Sequence, residues 1–108
     1  MELDPAYGVV LVTVASSEQG KKIAHALVSA KLAACVNIFP IESVYMWQGE
    51  VDRGLEHQLI IKTDLNKFPE LAKKIKTLHD YEVPEIIALP IVAGSKPYLQ
   101  WLGENLKK

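Results

Sequence analysis

The chain is poor in cysteine and in arginine. Its 108 residues include one cysteine, Cys35, and one arginine, Arg53. A lone thiol forms no internal disulfide, which is typical of a reducing compartment. The 12 basic residues are balanced by 13 acidic ones, giving a net charge of −1. This balance predicts no binding to nucleic acid or to an anionic membrane surface.

Long apolar runs are also absent, so the sequence predicts no helix that spans a bilayer. The amino terminus, MELDPAYG, is acidic and has few apolar residues, which predicts no secretory signal. Hydrophobic residues make up 49% and charged residues 23% of the chain, as in an ordinary globular protein. These features predict a single domain spanning residues 1–108 and a cytoplasmic location.

The longest strand-like stretch of the sequence runs from Ala33 to Thr63. It predicts two long strands that fold back on each other around Gln48 and Gly49. The first arm is rich in β-branched and aromatic residues, and the second ends in the apolar run LIIKT, as a central strand does. Each arm exceeds the usual strand length of about five or six residues. We therefore expect something outside the monomer to cover part of this surface.

The flanking segments complete an alternating pattern. Residues 7–15 predict a central strand, and Ser16 with Gln19 predicts a capping box before a helix whose buried stripe includes Ala30. A second helix is expected to be capped by Asn66, with Pro69 in its first turn. Residues 86–94 predict a last strand, and a short helix is expected to begin near Pro97.

The resulting order, β-α-β-β-α-β plus a helix, predicts an α+β ferredoxin-like antiparallel sheet with both main helices on one face. The first hairpin arm and the last strand are its edges. Pro40 cannot donate to a strand ladder, so it is expected on an edge strand or at a bulge, and the first arm is expected to bend near it. Gly54 is expected to play the same part in the second arm, which makes the pair an extended bent hairpin. Both edges are apolar and lack protective lysines, so we expect a closed oligomer.

Several blocks in this order resemble the CutA family of divalent-cation tolerance proteins: KLAACVNIFP (31–40), SVYMWQGE (43–50), LEHQLIIKT (55–63), HDYEVPE (79–85) and YLQWL (98–102). The resemblance implies a tight homotrimer with hairpins pairing across subunits, similar to PII signalling proteins, which bind effectors in clefts between subunits. Two departures stand out. The family usually has proline where this chain has Asp80, and some members have a cysteine where this chain has Val12 and Thr13.

The candidate metal ligands are His79, Asp80 and Glu85, with Cys35 as a further candidate. Imidazole and carboxylate groups suit zinc or copper(II), although the chain has no HxH, HExxH or CxxC spacing. Two structural alternatives stay open. His79 can simply favour a helix carboxyl terminus, and Cys35 can be a small buried hydrophobic residue.

A second set of candidates would line a cleft between subunits: Tyr45, Trp47, Lys62 and Tyr81, which match recurrent family positions as Glu85 does, together with Glu56. Trp47 is also expected to serve as an interface anchor. Lys62 is expected either to pair with Glu56, Glu85 or a neighbouring subunit's carboxylate, or to bind an anion in the cleft.

Taken together, the residues and the resemblance predict a non-enzymatic trimer that binds divalent metal ions such as copper(II) with modest affinity and takes part in the response to metal ions. No cofactor is obligatory in this prediction. The alternative is a PII-like small-molecule sensor or signalling scaffold that uses the intersubunit cleft. An RNA-recognition module is disfavoured because the strand VVLVTV carries no stacking aromatics, and an acylphosphatase because the loop ASSEQG lacks arginine.

Overall fold

A computed structural model describes residues 4–107 of the chain, so residues 1–3 of the predicted lead-in and residue 108 lie outside the described part. The elements are β1 (Tyr7–Val14), α1 (Ser17–Ser29), β2 (Cys35–Trp47), β3 (Glu50–Asp64), a 3₁₀ turn (Leu65–Lys67), α2 (Phe68–Leu78), β4 (Ile86–Pro90) and α3 (Lys96–Glu104). The four strands form one sheet in the order β2-β3-β1-β4, and all three neighbouring pairs are antiparallel. The predicted ferredoxin-like topology is confirmed, with β2 and β4 at the edges.

The hairpin is regular along its whole length. Its pairing runs from Cys35 opposite Lys62 to Trp47 opposite Glu50 with no change of register. The two turn residues both have positive φ, 50° for Gln48 and 82° for Gly49, as a tight hairpin turn that follows the strand twist requires. The register therefore contains no bulge at Pro40 or Gly54, and of the two positions predicted for Pro40, an edge strand or a bulge, the edge strand is confirmed. Pro40 is accommodated because β2 is an edge strand.

The core lies between one face of the sheet and the helices α1 and α2. Apolar residues at alternate positions of β1 and β3 supply the sheet side, and residues three or four apart supply the helix side. The fully buried members are Val10, Val12, Val14, Ile23, Leu27, Ala33, Leu59, Ile61, Leu71 and Ile75.

The helix ends differ in part from the prediction. Ser16 does cap α1, and its Oγ accepts a hydrogen bond from the Gln19 backbone N–H at 3.1 Å. The Gln19 side chain bonds elsewhere, as described below. Ala30 is exposed, because α1 ends at Ser29 and the predicted stripe stops one turn earlier. The second helical segment is capped by Asp64 rather than Asn66.

Asp64 acts as the cap because the helical segment begins with a 3₁₀ turn at Leu65, so the cap lies two residues before the predicted Asn66. Its Oδ1 accepts the backbone N–H of Asn66 at 3.0 Å, which begins the 3₁₀ turn that leads into α2. The same oxygen accepts the Ala6 N–H at 3.1 Å and so joins the start of β1 to the end of β3. Pro69 lies in the first turn of α2, as predicted.

The last strand is also shorter than the predicted 86–94, because β4 ends at Pro90. Its partner β1 begins at Tyr7, and the register places Pro90 opposite Gly8. The Ile91 N–H donates one further hydrogen bond to the Tyr7 carbonyl at 3.0 Å. Because β1 begins at Tyr7, β4 has no partner strand beyond this point.

The second face of the sheet carries no helix over most of its area; we call it the open face. Alternation places Val9, Leu11 and Thr13 of β1 on this face, and register adds their partners on the neighbouring strands. Helix α3 contacts β3, and its Gly103 lies against Tyr7, so α3 covers only one end. Apolar side chains remain exposed on the rest: Phe39 at 39%, Ile87 at 49% and Leu89 at 46%.

Candidate ligand site at the end of β1

The histidine at the end of α2 uses both of its ring nitrogens within the subunit. His79 Nδ1 accepts a hydrogen bond from the Tyr81 backbone N–H at 3.0 Å. His79 Nε2 lies 2.8 Å from the carbonyl oxygen of Thr13. Since Nδ1 is an acceptor and a carbonyl can only accept, the hydrogen-bond network assigns the ring proton to Nε2. His79 therefore joins the carboxyl ends of α2 and β1.

Tyr81 reaches from the loop after α2 to the hairpin. Its hydroxyl donates to Glu56 Oε2 at 2.7 Å, and its ring centroid lies 4.9 Å from that of His79. Burial, and then the hydrogen bond to the Glu56 carboxylate, raise the pKa of Tyr81 from 10.0 to about 12. The hydroxyl thus stays protonated and acts as a donor throughout the physiological pH range.

A second hydroxyl–carboxylate pair lies at the same end of the sheet. Thr13 Oγ1 donates to Glu85 Oε2 at 3.1 Å, and Glu85 directly precedes β4, next to the strand pair that joins Val12 to Ile86. Gln58, opposite Thr13 in the sheet, donates from Nε2 to the Val12 carbonyl at 3.1 Å. The end of β1 on the open face is therefore a polar site, defined by Thr13, Glu56, Gln58, Tyr81 and Glu85.

The predicted metal ligands do not form one cluster in the subunit. Within residues 4–107, no group of three or more histidine, cysteine, aspartate or glutamate side chains is close enough together to hold a cation. Cys35 is half-buried at the opposite end of the open face, where it lies opposite Lys62 in the register of β2 and β3. His79 would have to give up one of its two hydrogen bonds to bind a metal. The structure thus does not bring His79, Asp80, Glu85 and Cys35 together within one subunit, and metal binding with ligands from a second subunit stays a prediction.

The predicted cleft residues separate into three groups. Tyr81 and Glu56 contact each other, as described. Tyr45 and Trp47 lie near the hairpin turn and are 42% and 60% exposed. Lys62 lies six positions from Glu56 on the same strand, roughly 20 Å away at the usual rise per residue. The Lys62–Glu56 ion pair considered from the sequence is therefore wrong within one subunit.

His57 does not join the polar site although it follows Glu56 directly. It occupies the position of β3 opposite Val14 and Pro40, and alternation turns it toward the helix side. Its Nδ1 is buried and has no hydrogen-bond partner among the described residues.

Sequence reasoning missed two members of the polar site, Thr13 and Gln58, and the nearby Gln19. Thr13 is the polar residue of the otherwise apolar strand segment VVLVTV, and that interruption was the available signal. Gln58 directly follows Glu56 and His57, so its position gives no such signal. Gln19 is only 7% exposed, and its Oε1 accepts the Asp80 backbone N–H at 2.8 Å. Its partner lies 61 residues away in sequence, so no local pattern indicates the contact.

Fold and site together define the chain as a ferredoxin-like subunit with an open apolar sheet face and a polar site at one end of that face. The model of the family described as CutA1 divalent ion tolerance protein matches residues 8–105. The chain belongs to this CutA family of divalent-cation tolerance proteins, and the resemblance stated from the sequence is confirmed.

Individual relatives agree closely. The divalent-cation tolerance protein CutA of Thermus thermophilus is 54% identical over 98 residues, covering 90% of this chain and 95% of its own. The chloroplastic protein CutA of Arabidopsis thaliana is 54% identical over 100 residues, which cover 92% of this chain and 55% of the longer plant protein.

Solved structures give the same result. CutA1 from Oryza sativa superposes with a TM-score of 0.92 at 48% identity, covering 96% of each chain. The protein described as the periplasmic divalent cation tolerance protein CutA from Archaeoglobus fulgidus gives a TM-score of 0.91 at 40% identity, covering 94% of this chain and 99% of its own. Among the described residues, no helix is long and apolar enough to cross a membrane.

Proposed function

We propose that the chain acts as a non-enzymatic homotrimer in the cytoplasm, binds divalent metal ions such as copper(II) with modest affinity, and takes part in the response to metal ions. Family membership supports the link to divalent cations. The observation that carries the trimer is the apolar surface left exposed on one subunit: the half-covered open face, and a hairpin end on which Met46 is 64% and Val51 is 75% exposed. Such surfaces are typical of protein interfaces.

The two edge strands support assembly for a second reason. Strands β2 and β4 each have a partner on one side only, so their outer backbone groups are available to strands of other copies. β2 is 13 residues long and apolar, which is unusual for the edge strand of a monomer. Pairing between copies around a closed ring would satisfy both edges without leading to filaments.

The polar site supports cation binding through its carboxylates. Glu56 and Glu85 each accept a hydroxyl donor at Oε2, and neither bond involves Oε1. Carboxylate oxygens are suitable ligands for divalent cations, but residues 4–107 of one subunit do not bring enough of them together. The proposal therefore requires ligands from a second subunit, and the Asp80 carboxylate, which is exposed on each subunit, is the one that we propose.

Calorimetric titration with copper(II) and zinc tests this proposal. We expect modest affinity that falls at least several-fold in Glu56→Gln and Glu85→Gln. Glu42→Gln is the matched control, because Glu42 is an exposed carboxylate of the same hairpin that lies on the other face. Glu56 is paired with Ile41, and the side chains of Ile41 and Glu42 point to opposite faces of the sheet. Equal binding by all variants would contradict the site. Loss of binding in Cys35→Ser alone would assign it to the thiol instead.

A PII-like sensor or scaffold is the second candidate, and the position of the polar site favours it. Tyr81, Glu56 and Glu85 lie at the margin of the open face, where a neighbouring copy that covers this face would form the wall of a cleft. A thermal-shift screen of metal ions against nucleotides and organic anions separates the two candidates. Stabilisation by an organic ligand that depends on Tyr81, without any effect of metal ions, would favour the sensor.

A further inference from the structure

Residues 79–85, which we call the strap, cross the carboxyl end of β1 and the amino end of α1. The structure assigns His79 and Gln19 as positioning residues that hold the strap there and so place the Tyr81 hydroxyl against Glu56. We propose this role in place of metal ligation by His79. The inference goes beyond the proposed function, because it concerns one subunit and requires neither a bound cation nor an oligomer.

The His79 ring is suited to this role because its two nitrogens bond to groups of opposite kind. The Tyr81 N–H needs an acceptor at Nδ1, and the Thr13 carbonyl needs a donor at Nε2. Only the neutral ring with its proton on Nε2 satisfies both partners. The ring thereby links the first residues of the strap to a backbone carbonyl of β1, which is part of the central sheet.

Gln19 fixes the next residue of the strap from the other side. Its side chain is held in the first turn of α1 and is 7% exposed, so its orientation is restricted by packing. Its Oε1 accepts the Asp80 N–H at 2.8 Å. Since the donor is a backbone group, the Asp80 side chain is not needed for this contact, whereas a proline at this position would remove the donor.

These two contacts determine where Tyr81 lies. With the backbone N–H groups of Asp80 and Tyr81 both bonded, the Tyr81 ring packs beside His79 and its hydroxyl reaches Glu56. The far end of the strap is held by the Thr13–Glu85 bond. Between these points Val83 is 87% exposed and makes little contact with the subunit. The strap is thus fixed at one end by its own His79 side chain and by Gln19 of α1, and at the other end by Thr13 of β1.

Nuclear magnetic resonance at neutral pH tests the assignment on the intact protein. The ¹⁵N shifts of His79 in the wild type should show the neutral Nε2–H form. Asparagine places an acceptor near the position of Nδ1, and glutamine places a donor near that of Nε2. We therefore expect His79→Asn to preserve the slow hydrogen exchange of the Tyr81 amide, and His79→Gln to accelerate it roughly tenfold, the effect of one hydrogen bond.

The second arm compares Asp80→Pro with Asp80→Ala. Alanine keeps the backbone donor and should leave Tyr81 exchange unchanged, whereas proline should accelerate it by a similar factor. Exchange of the Ile61 amide in the core reports whether each variant remains folded. A wild-type His79 with its proton on Nδ1 would overturn the proposal, even if every variant failed to fold. Equal Tyr81 exchange in the glutamine and asparagine variants would also overturn it.

Discussion

Replacing Trp47 by alanine tests the contribution of the hairpin end to assembly. In the single subunit this side chain is 60% exposed, so the subunit covers less than half of it. A tryptophan offers about 200 Å² of burial, which leaves roughly 120 Å² for a neighbour to cover. At about 25 cal/mol per Å² this area corresponds to about 3 kcal/mol of interface stabilisation per subunit. The effect should therefore appear mainly in the association equilibrium.

Sedimentation equilibrium over a range of concentrations measures that equilibrium directly. We expect Trp47→Ala to raise the concentration at which the oligomer dissociates. Ile23→Ala is the matched control, because Ile23 is fully buried within one subunit. Its loss should cost about 2–5 kcal/mol of subunit stability. It should leave the association constant nearly unchanged. An unaltered association constant in Trp47→Ala would refute the reasoning.

Three further predictions concern the single subunit. Thr63→Val should cost about 1–3 kcal/mol in urea unfolding, because the buried Leu32 carbonyl loses the hydroxyl that donates to it at 2.7 Å. Gly8→Ala should lower the thermal midpoint markedly, since its Cβ would lie 2.6 Å from the Leu89 carbonyl oxygen. The pKa of Tyr81 is raised in the folded state from 10.0 to about 12, so its stabilising contribution is fully present below about pH 10 and is lost as the pH rises toward 12. Urea unfolding of the wild type between pH 8 and pH 11 should therefore show a larger loss of stability than Tyr81→Phe shows, since the raised pKa of Tyr98 acts in both proteins.

The fold could be predicted because its signals are local. The alternating apolar strands, the Gln48–Gly49 turn and the Ser16 cap each depend on residues close in sequence, and the structure contains all three. The error at the end of the last strand arises because a distant group decides. β4 stops at Pro90 because its partner β1 provides no more strand, which the sequence of β4 alone does not indicate.

The polar site could be predicted only in part for the same reason. Tyr81 and Glu56 were both candidates, but their hydrogen bond joins residues 25 apart in sequence. The Thr13–Glu85 bond joins residues 72 apart, and Thr13 was not a candidate at all. His79 was selected as a metal ligand for its chemistry, whereas in the structure both of its ring nitrogens have hydrogen-bond partners within the subunit. Those partners depend on how α2 ends against β1.

Metal binding stays a prediction, and its geometry depends on assembly. If carboxylates from two subunits hold the cation, dissociation of the oligomer should abolish binding. Titrating copper(II) into Trp47→Ala below its dissociation concentration tests this link. Binding by the dissociated subunits with the affinity of the intact oligomer would place the site within one chain, against the proposal.

The most direct test of the account is the mass of the wild-type protein in solution. Sedimentation equilibrium at low micromolar concentration should give three times the subunit mass of 12.0 kDa. That result would assign the exposed hairpin end, the open face and the two strand edges to contacts between copies. A stable, well-folded monomer of 12.0 kDa at the same concentration would contradict the account.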